Sequence, residues 1–115
     1  MKNKKNAELN ILDLIPKRLL KHELNNEGLI DVLVPRFKIK FLQKLIPQNI
    51  SPYIKANLDD MGSKVWELID GTHTARDIAD VMKEKLSDVE QIHQRVGLFL
   101  QKLYKNNFIT FVEIN

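Results

Sequence analysis

Three stretches in the first half of the chain have the alternating apolar and polar positions of β-strands. Residues 18–23 and 29–35 flank an Asn-Asn-Glu-Gly sequence at positions 25–28, whose residue types favour a turn. Residues 53–58 alternate in the same way, which places their side chains on two opposite faces. One of these faces carries Tyr53, Lys55 and Asn57. The pattern predicts an N-terminal antiparallel hairpin followed by a third strand.

The second half of the chain has apolar positions at the spacing of α-helices. A first helix is predicted near residues 60–69, where Asp59 or Asp60 supplies the cap and Gly71 ends the helix. Its apolar stripe is Met61, Val65, Leu68 and Ile69, and we expect Trp66 to lie in the core.

Two capping boxes predict the starts of two further helices. Thr74 and Asp77 have the required spacing for the second helix, and Ser87 and Glu90 have it for a third helix at residues 88–106. The second helix has an apolar stripe of Ala75, Ile78, Ala79, Met82 and Leu86. The apolar stripe of the third helix is Val89, Ile92, Val96, Phe99 and Leu103.

Two segments fit more than one structure. Residues 36–46 alternate like a strand in their first half and fit a helical stripe in their second half, which favours a strand that continues into a short amphipathic helix. The apolar patch within residues 1–15 fits either a helical turn or a strand, and residues 108–114 are predicted to form a last strand.

These elements predict an α+β fold of N-terminal antiparallel β-strands, a winged-helix-like unit of three helices and a short C-terminal strand. We expect residues 1–15 to be an N-terminal tail or short element and residues 16–115 to be a single domain, because 115 residues support one modest core.

The composition excludes several classes of chemistry. The chain has no cysteine, which excludes disulfides, thiolate-bound iron–sulfur clusters and cysteine-rich zinc sites. No apolar run approaches the ~18 residues of a membrane span, so we expect a cytoplasmic protein without a membrane partner. The formal net charge is +3, and Arg36, Lys38, Lys40 and Lys44 form a local basic cluster.

Catalytic and metal-binding patterns are not found in the sequence. His22, His73 and His93 lack the spacing of metal ligands, and no nucleophile elbow or glycine-rich phosphate loop is present. Adjacent acidic residues at positions 59–60 are better explained as helix caps than as catalytic carboxylates. We therefore expect a protein that is not an enzyme and has no cofactor, metal or catalytic residue.

The third predicted helix carries a second, largely polar stripe beside its apolar one. This stripe consists of Gln91, Arg95, Leu98 and Lys102, followed by Lys105. An ordinary solvated helix face is one interpretation. The other is a peptide-binding surface, in which an extended peptide adds to the edge of the strand at residues 53–57. Acidic side chains of that peptide would then pair with Lys55, Arg95 and Lys102.

Residues 58–79, LDDMGSKVWELIDGTHTARDIA, resemble the PqqD family, named for coenzyme PQQ biosynthesis protein D. The resemblance extends over about residues 34–109, and Trp-Glu-Leu-Ile-Asp-Gly-x-x-Thr is its most specific part. Proteins of this type are similar to RiPP recognition elements, which hold the leader of a precursor peptide between the third strand and the third helix. They present it to a modifying enzyme, commonly a radical SAM protein.

The resemblance implies a peptide-binding accessory or chaperone domain. Carried over by element and facing, the peptide-binding residues are Tyr53, Lys55, Asn57, Gln91, Arg95, Leu98 and Lys102. One departure is the segment at residues 36–52, which is longer than a tight hairpin needs. This segment either docks a partner or covers the strand edge assigned to the peptide.

Two alternatives belong to other functional classes. A nucleic-acid-binding winged helix would insert the third helix in the major groove and place the basic cluster on phosphates, but acidic residues crowd the helical half of the chain. A structural module would form a homodimer through Phe37, Phe41 and the terminal strand.

Overall fold

The computed structural model describes residues 10–86 and 91–112, which form a mixed α+β fold with antiparallel strands. The predicted fold class is confirmed at this level, and the winged-helix-like arrangement stays a prediction. The elements in chain order are a 3₁₀ turn (Ile11–Asp13), β1 (Pro16–Arg18), β2 (His22–Leu24), β3 (Ile30–Pro35), α1 (Lys40–Lys44), β4 (Tyr53–Asn57), α2 (Asp60–Leu68), α3 (Ala75–Lys85), α4 (Ile92–Lys105) and β5 (Ile109–Phe111).

The chain divides into two compact units. One, the sheet unit, covers residues 20–63, and the other, the helical unit, combines the residues up to Leu19 with those from Lys64 onward. The boundary at Leu19 corrects one prediction, because residues 18–23 do not form one strand. The backbone N–H of Leu19 donates to the carbonyl of Phe108, whereas the carbonyl of Lys21 accepts from Leu33. The hydrogen-bonding partner thus changes within two residues, and the segment contributes to two sheets.

The sheet unit contains an antiparallel sheet in the order β2–β3–β4. The tight turn before β3 forms because the Asn25 side chain accepts from the backbone N–H of Glu27 at 2.8 Å and of Leu29 at 3.1 Å. Gly28 supplies the positive φ of +76° that this turn requires. Ile30 and Val32 of β3 are fully buried.

The segment between β3 and β4 forms one short helix, α1. The predicted continuation of the strand into the first half of residues 36–46 is wrong, because β3 ends at Pro35 and the N–H of Phe37 donates to the Gln43 side chain at 2.9 Å. This bond takes the backbone away from the ladder of β3. The predicted amphipathic helix does form, at Lys40–Lys44.

The helical unit buries one face of each long helix together with Ile109 of β5. The predicted core position of Trp66 is confirmed, since its side chain has no exposed surface. In α4, the structure buries Leu100 where the sequence pattern favoured Phe99, which is only partly buried. Adjacent positions differ by about 100° around a helix, so the neighbouring elements decide which of the two faces the core. Val89 and the capping box at residues 87–90 lie outside the described residues.

Local signals fix the helix ends. The Asp59 side chain accepts from the N–H of Gly62 at 2.7 Å, and the capping box of Thr74 and Asp77 forms in both directions, at 3.0 Å and 3.2 Å. Gly71 has the predicted left-handed conformation, with a φ of +85°. It does not cap the helix, because α2 already ends at Leu68 and the Gly71 N–H donates to the carbonyl of Pro16 at 3.0 Å. β5 pairs antiparallel with β1. Positions 113–114 of the predicted terminal strand lie outside the described residues.

Candidate functional site

Strand β4 is an edge strand of the three-stranded sheet. Its inner side pairs with β3 from Asp31↔Asn57 to Pro35↔Tyr53, and no strand within residues 10–86 and 91–112 pairs with its outer side. An edge of this kind presents backbone donors and acceptors that an incoming extended chain can use.

The ladder identifies which backbone groups point to the open side. Two ladder contacts, from Arg36 N–H to the Pro52 carbonyl and from Leu58 N–H to the Ile30 carbonyl, are both 2.9 Å long. In an antiparallel pair, residues that bond the neighbouring strand alternate with residues whose N–H and C=O groups point away from it. Residues 52, 54, 56 and 58 therefore bond β3. The outward groups of β4 belong to Tyr53, Lys55 and Asn57, the three strand residues predicted to bind peptide.

The outward backbone groups of Tyr53 are already hydrogen-bonded by the side chain of Ser51. The Ser51 hydroxyl accepts from the N–H of Tyr53 at 3.2 Å and lies 3.1 Å from the Tyr53 carbonyl, to which it donates. The open edge consequently begins at Lys55. The N–H and C=O groups of Lys55 and Asn57 leave four backbone groups directed outward.

The side chains of Lys55 and Asn57 are already engaged within the sheet. Lys55 Nζ lies 2.8 Å from Glu23 Oε2, and hydrogen bonding to Glu23 raises the pKa of Lys55. Asn57 Nδ2 donates to Asp31 Oδ1 at 2.6 Å. An acidic peptide side chain would therefore compete with Glu23 for Lys55, and this face supplies less free positive charge than the sequence alone indicated.

Asp31 is the centre of this polar face. Its side chain is 5% exposed, and its Oδ1 also accepts from Asn25 Nδ2 at 3.1 Å. Two amide donors thus compensate a buried carboxylate, as burial of a charge requires. Asp31 and Glu23 also belong to this face, although the sequence pattern did not indicate them. The sequence signal for Asp31 is a carboxylate placed between the apolar residues Ile30 and Val32 of a predicted strand.

The predicted helix residues lie on an exposed face of α4. Gln91 precedes the helix with a φ of +58°, and Arg95 and Lys102 are exposed. Leu98 is 59% exposed, which agrees with its predicted position outside the core stripe. This face presents two cations and one large apolar side chain to solvent.

A cleft of about 230 Å³ adjoins this face within the helical unit, and its lining includes Leu98, His93, Gly97 and the turn at residues 10–12. The turn lies close to Gly97, where a Cβ atom would be in ordinary contact with Ile11 Cγ2 at 3.4 Å. The cleft therefore extends the accessible apolar surface beside Leu98.

The predicted site residues form two groups. Tyr53, Lys55 and Asn57 lie together in the sheet unit, and the four residues from Gln91 to Lys102 lie together in the helical unit. The prediction that both groups line one groove stays a prediction.

Histidine and carboxylate side chains serve structural contacts in the helical unit. His93 Nε2 lies 2.7 Å from Asp80 Oδ1, which links α4 to α3. Asp70 accepts hydrogen bonds from Thr72 and His73, and those from the N–H and hydroxyl of Thr72 do most to hold its pKa well below the usual range. In the part of the chain that the structure describes, no three metal-ligating side chains cluster.

The described residues present an open strand edge in the sheet unit and an exposed amphipathic helix face in the helical unit. Residues 53–109 match the family model described as Coenzyme PQQ synthesis protein D (PqqD), and this match covers β4, α2, α3, α4 and the first residue of β5. This match confirms the resemblance to the PqqD family, whose members are accessory proteins associated with PQQ biosynthesis. No curated protein and no solved structure matches the chain. None of the helices within the described ranges is long and apolar enough to cross a membrane.

Proposed function

We propose that this protein binds the extended leader of a precursor peptide along β4 and presents it to a modifying enzyme of the radical SAM type. The protein performs no catalytic step of its own in this proposal, and its place is the cytoplasm. The observation that carries the proposal is the open edge of β4, where the backbone groups of Lys55 and Asn57 point away from β3. The PqqD family match supports an accessory role of this kind.

Binding at this edge would depend mainly on the peptide backbone. Four outward groups allow about four hydrogen bonds, and each contributes roughly 0.5–1.5 kcal/mol net. Backbone hydrogen bonds form with peptides of almost any sequence, so contacts with side chains must supply the selectivity. Ser51 covers the outward groups of Tyr53, and the peptide would therefore begin to pair at Lys55.

The exposed face of α4 is the proposed source of selectivity. Arg95 and Lys102 offer cations, and Leu98 offers an apolar contact that the core does not use. A leader with acidic side chains and a large apolar side chain suits this face. We expect charge reversal at Arg95 to weaken peptide binding more than neutralisation, because repulsion is added to the lost attraction.

The test is a titration of fluorescently labelled short peptides encoded beside the gene, with a random DNA duplex as control. We expect micromolar or tighter peptide binding, weakened at least tenfold in Arg95→Glu and in Leu98→Ala. Lys83→Glu is the matched charge-reversal control, because Lys83 is exposed on α3, outside the proposed site. Equal peptide affinity in Arg95→Glu and Lys83→Glu would remove α4 from the site. Salt-sensitive DNA binding without peptide binding would favour the nucleic-acid alternative.

A further inference from the structure

The segment at residues 36–52 lies outside the part of the chain that matches the PqqD model. It contains four cationic residues, Arg36, Lys38, Lys40 and Lys44, and no Asp or Glu. It also exposes a concentration of large apolar side chains, namely Phe37, Ile39, Phe41, Leu42, Leu45 and Ile50. Exposed apolar surface combined with charge of one sign indicates an interaction surface.

Helix α1 of this segment turns its apolar side outward. Gln43 anchors the opposite side, since its Oε1 accepts from the N–H of Phe37 at 2.9 Å and its Nε2 donates to the carbonyl of Pro52 at 2.7 Å. With 3.6 residues per turn, Phe41 and Leu45 both lie about 160° from Gln43 around the helix. Their side chains are 67% and 61% exposed. An ordinary surface helix has the reverse orientation, with apolar residues inward.

We propose that residues 36–52 bind the surface of an anionic lipid bilayer. Phe41 and Leu45 insert below the headgroups, and the four cations contact lipid phosphates. Amphipathic segments rich in Lys and Arg bind membranes in this way, through buried apolar area and electrostatic attraction together. Lys side chains have long aliphatic stems, which let their ammonium groups reach the headgroup layer beside inserted residues.

The charge of the segment favours a bilayer over other occupants. A second copy of the same face would bring four cations against four cations, without a carboxylate to compensate them. Lys is depleted in the centres of protein interfaces, where Arg is enriched, and three of the four cations here are Lys. Nucleic acid would use the cations but not the outward Phe41 and Leu45.

This proposal revises the expectation that the protein has no membrane partner, which rested on the lack of a spanning segment. It does not depend on peptide binding at β4. The two proposals can therefore fail separately, because one is measured with peptides and the other with vesicles.

Vesicle sedimentation tests the proposal on the full chain. The probes are vesicles of phosphatidylcholine alone and vesicles with about one third phosphatidylglycerol, at low and high salt. We expect binding to the anionic vesicles only, and weaker binding at high salt. Lys40→Gln with Lys44→Gln should weaken binding about 25-fold, or about fivefold for each cation removed.

Matched variants distinguish binding through this segment from non-specific adsorption of the protein to vesicles. Phe41→Ser with Leu45→Ser should abolish binding, whereas Leu19→Ser, a change at an exposed apolar residue of the helical unit, should not change it. Lys83→Gln with Lys85→Gln controls for the loss of two exposed cations elsewhere. In Phe41→Trp, the new indole should shift its emission to shorter wavelength with anionic vesicles, against the background of the buried Trp66.

Four results would overturn the proposal. These are absence of binding to anionic vesicles, equal binding to both vesicle types, unchanged binding in the two double variants of α1, and an unshifted emission in Phe41→Trp. Binding of a DNA duplex in place of vesicles would assign the surface to nucleic acid. Self-association that is abolished by Phe41→Ser would assign it to a second copy of the chain.

Discussion

The hydroxyl of Ser63, in α2, makes a hydrogen bond to β3 beside the end of β4. It accepts from the N–H of Ile30 at 2.8 Å and lies 3.4 Å from the carbonyl of Leu58, to which it donates. The other half of this ladder pair is a direct bond, from the Leu58 N–H to the Ile30 carbonyl at 2.9 Å. Ser63 thus stands in for one ladder bond between β3 and the end of β4, and its own side chain is only 5% exposed.

Replacement of Ser63 by Ala should destabilise the protein by about 2 kcal/mol. The change leaves the N–H of the buried Ile30 without its acceptor, and an unsatisfied buried donor costs about 1–3 kcal/mol. For a chain of about this size, 1 kcal/mol corresponds to roughly 4–8 °C in Tm, so we expect Tm to fall by roughly 8–16 °C. The matched control is Ser51→Ala, because Ser51 is exposed and its loss should change the free energy of unfolding by less than about 0.5 kcal/mol.

Urea unfolding followed by far-UV circular dichroism measures this difference, with an unchanged m-value as the sign that the unfolded state is not altered. Amide hydrogen exchange gives a second measurement, in which the Ile30 amide should lose more protection than the neighbouring Asp31 amide. A free energy of unfolding within about 0.5 kcal/mol of the wild type would refute the assigned role of Ser63.

Three further predictions concern the junction of α2 and α3. Asp70→Asn should destabilise the protein near pH 7. Because its hydrogen bonds with Thr72 and His73 depress the folded-state pKa of Asp70, the unfolded state binds more protons in acid, and the difference in urea midpoint should shrink as pH falls below about 4; a difference independent of pH would contradict this. Gly71→Ala should cost about 1 kcal/mol in thermal unfolding, since a φ of +85° is strained for a residue with a Cβ, although that Cβ would meet Lys17 Cγ only in ordinary contact at 3.8 Å; an unchanged Tm would count against it. Thr74→Ala should also cost about 1 kcal/mol by loss of the helix cap, measured by urea unfolding against the exposed control Thr72→Ser, and an equal stability of the two variants would oppose that role.

Local chemistry made much of the fold predictable from the sequence. The structure confirms the Thr74 capping box, which depends on residues close together in the chain, and the burial of Trp66, which the apolar pattern indicates. Gly71 takes the predicted left-handed conformation but lies three residues beyond the end of α2. The prediction failed at residues 18–23, where the sheet partners are distant in sequence. The sequence also could not show whether Phe99 or Leu100 faces the core, because tertiary packing selects between adjacent helix positions.

The candidate site was predictable in part for the same reason. Alternation along β4 correctly grouped Tyr53, Lys55 and Asn57, since the strand period is a local property. The contacts that limit them, Ser51 with Tyr53, Glu23 with Lys55 and Asp31 with Asn57, depend on loop geometry and strand register. Neither can be derived from composition or periodicity.

Pairing of a peptide with the outer edge of β4 is best tested by a proline at position 55. Lys55→Pro removes the outward N–H and leaves the ladder with β3 in place, because residues 54 and 56 make the inner bonds. Lys55→Ala is the matched control, since it removes the same side chain and its Glu23 contact but keeps the N–H.

Peptide affinity should be measured by fluorescence anisotropy in both variants, after circular dichroism has established that each is folded. We expect Lys55→Pro to bind the peptide about tenfold more weakly than Lys55→Ala, which corresponds to the loss of one backbone hydrogen bond of about 1.4 kcal/mol. Peptides with a single N-methylated amide should reproduce the loss at alternate positions only. Equal peptide affinities in Lys55→Pro and Lys55→Ala would show that the peptide does not pair with the N–H of residue 55.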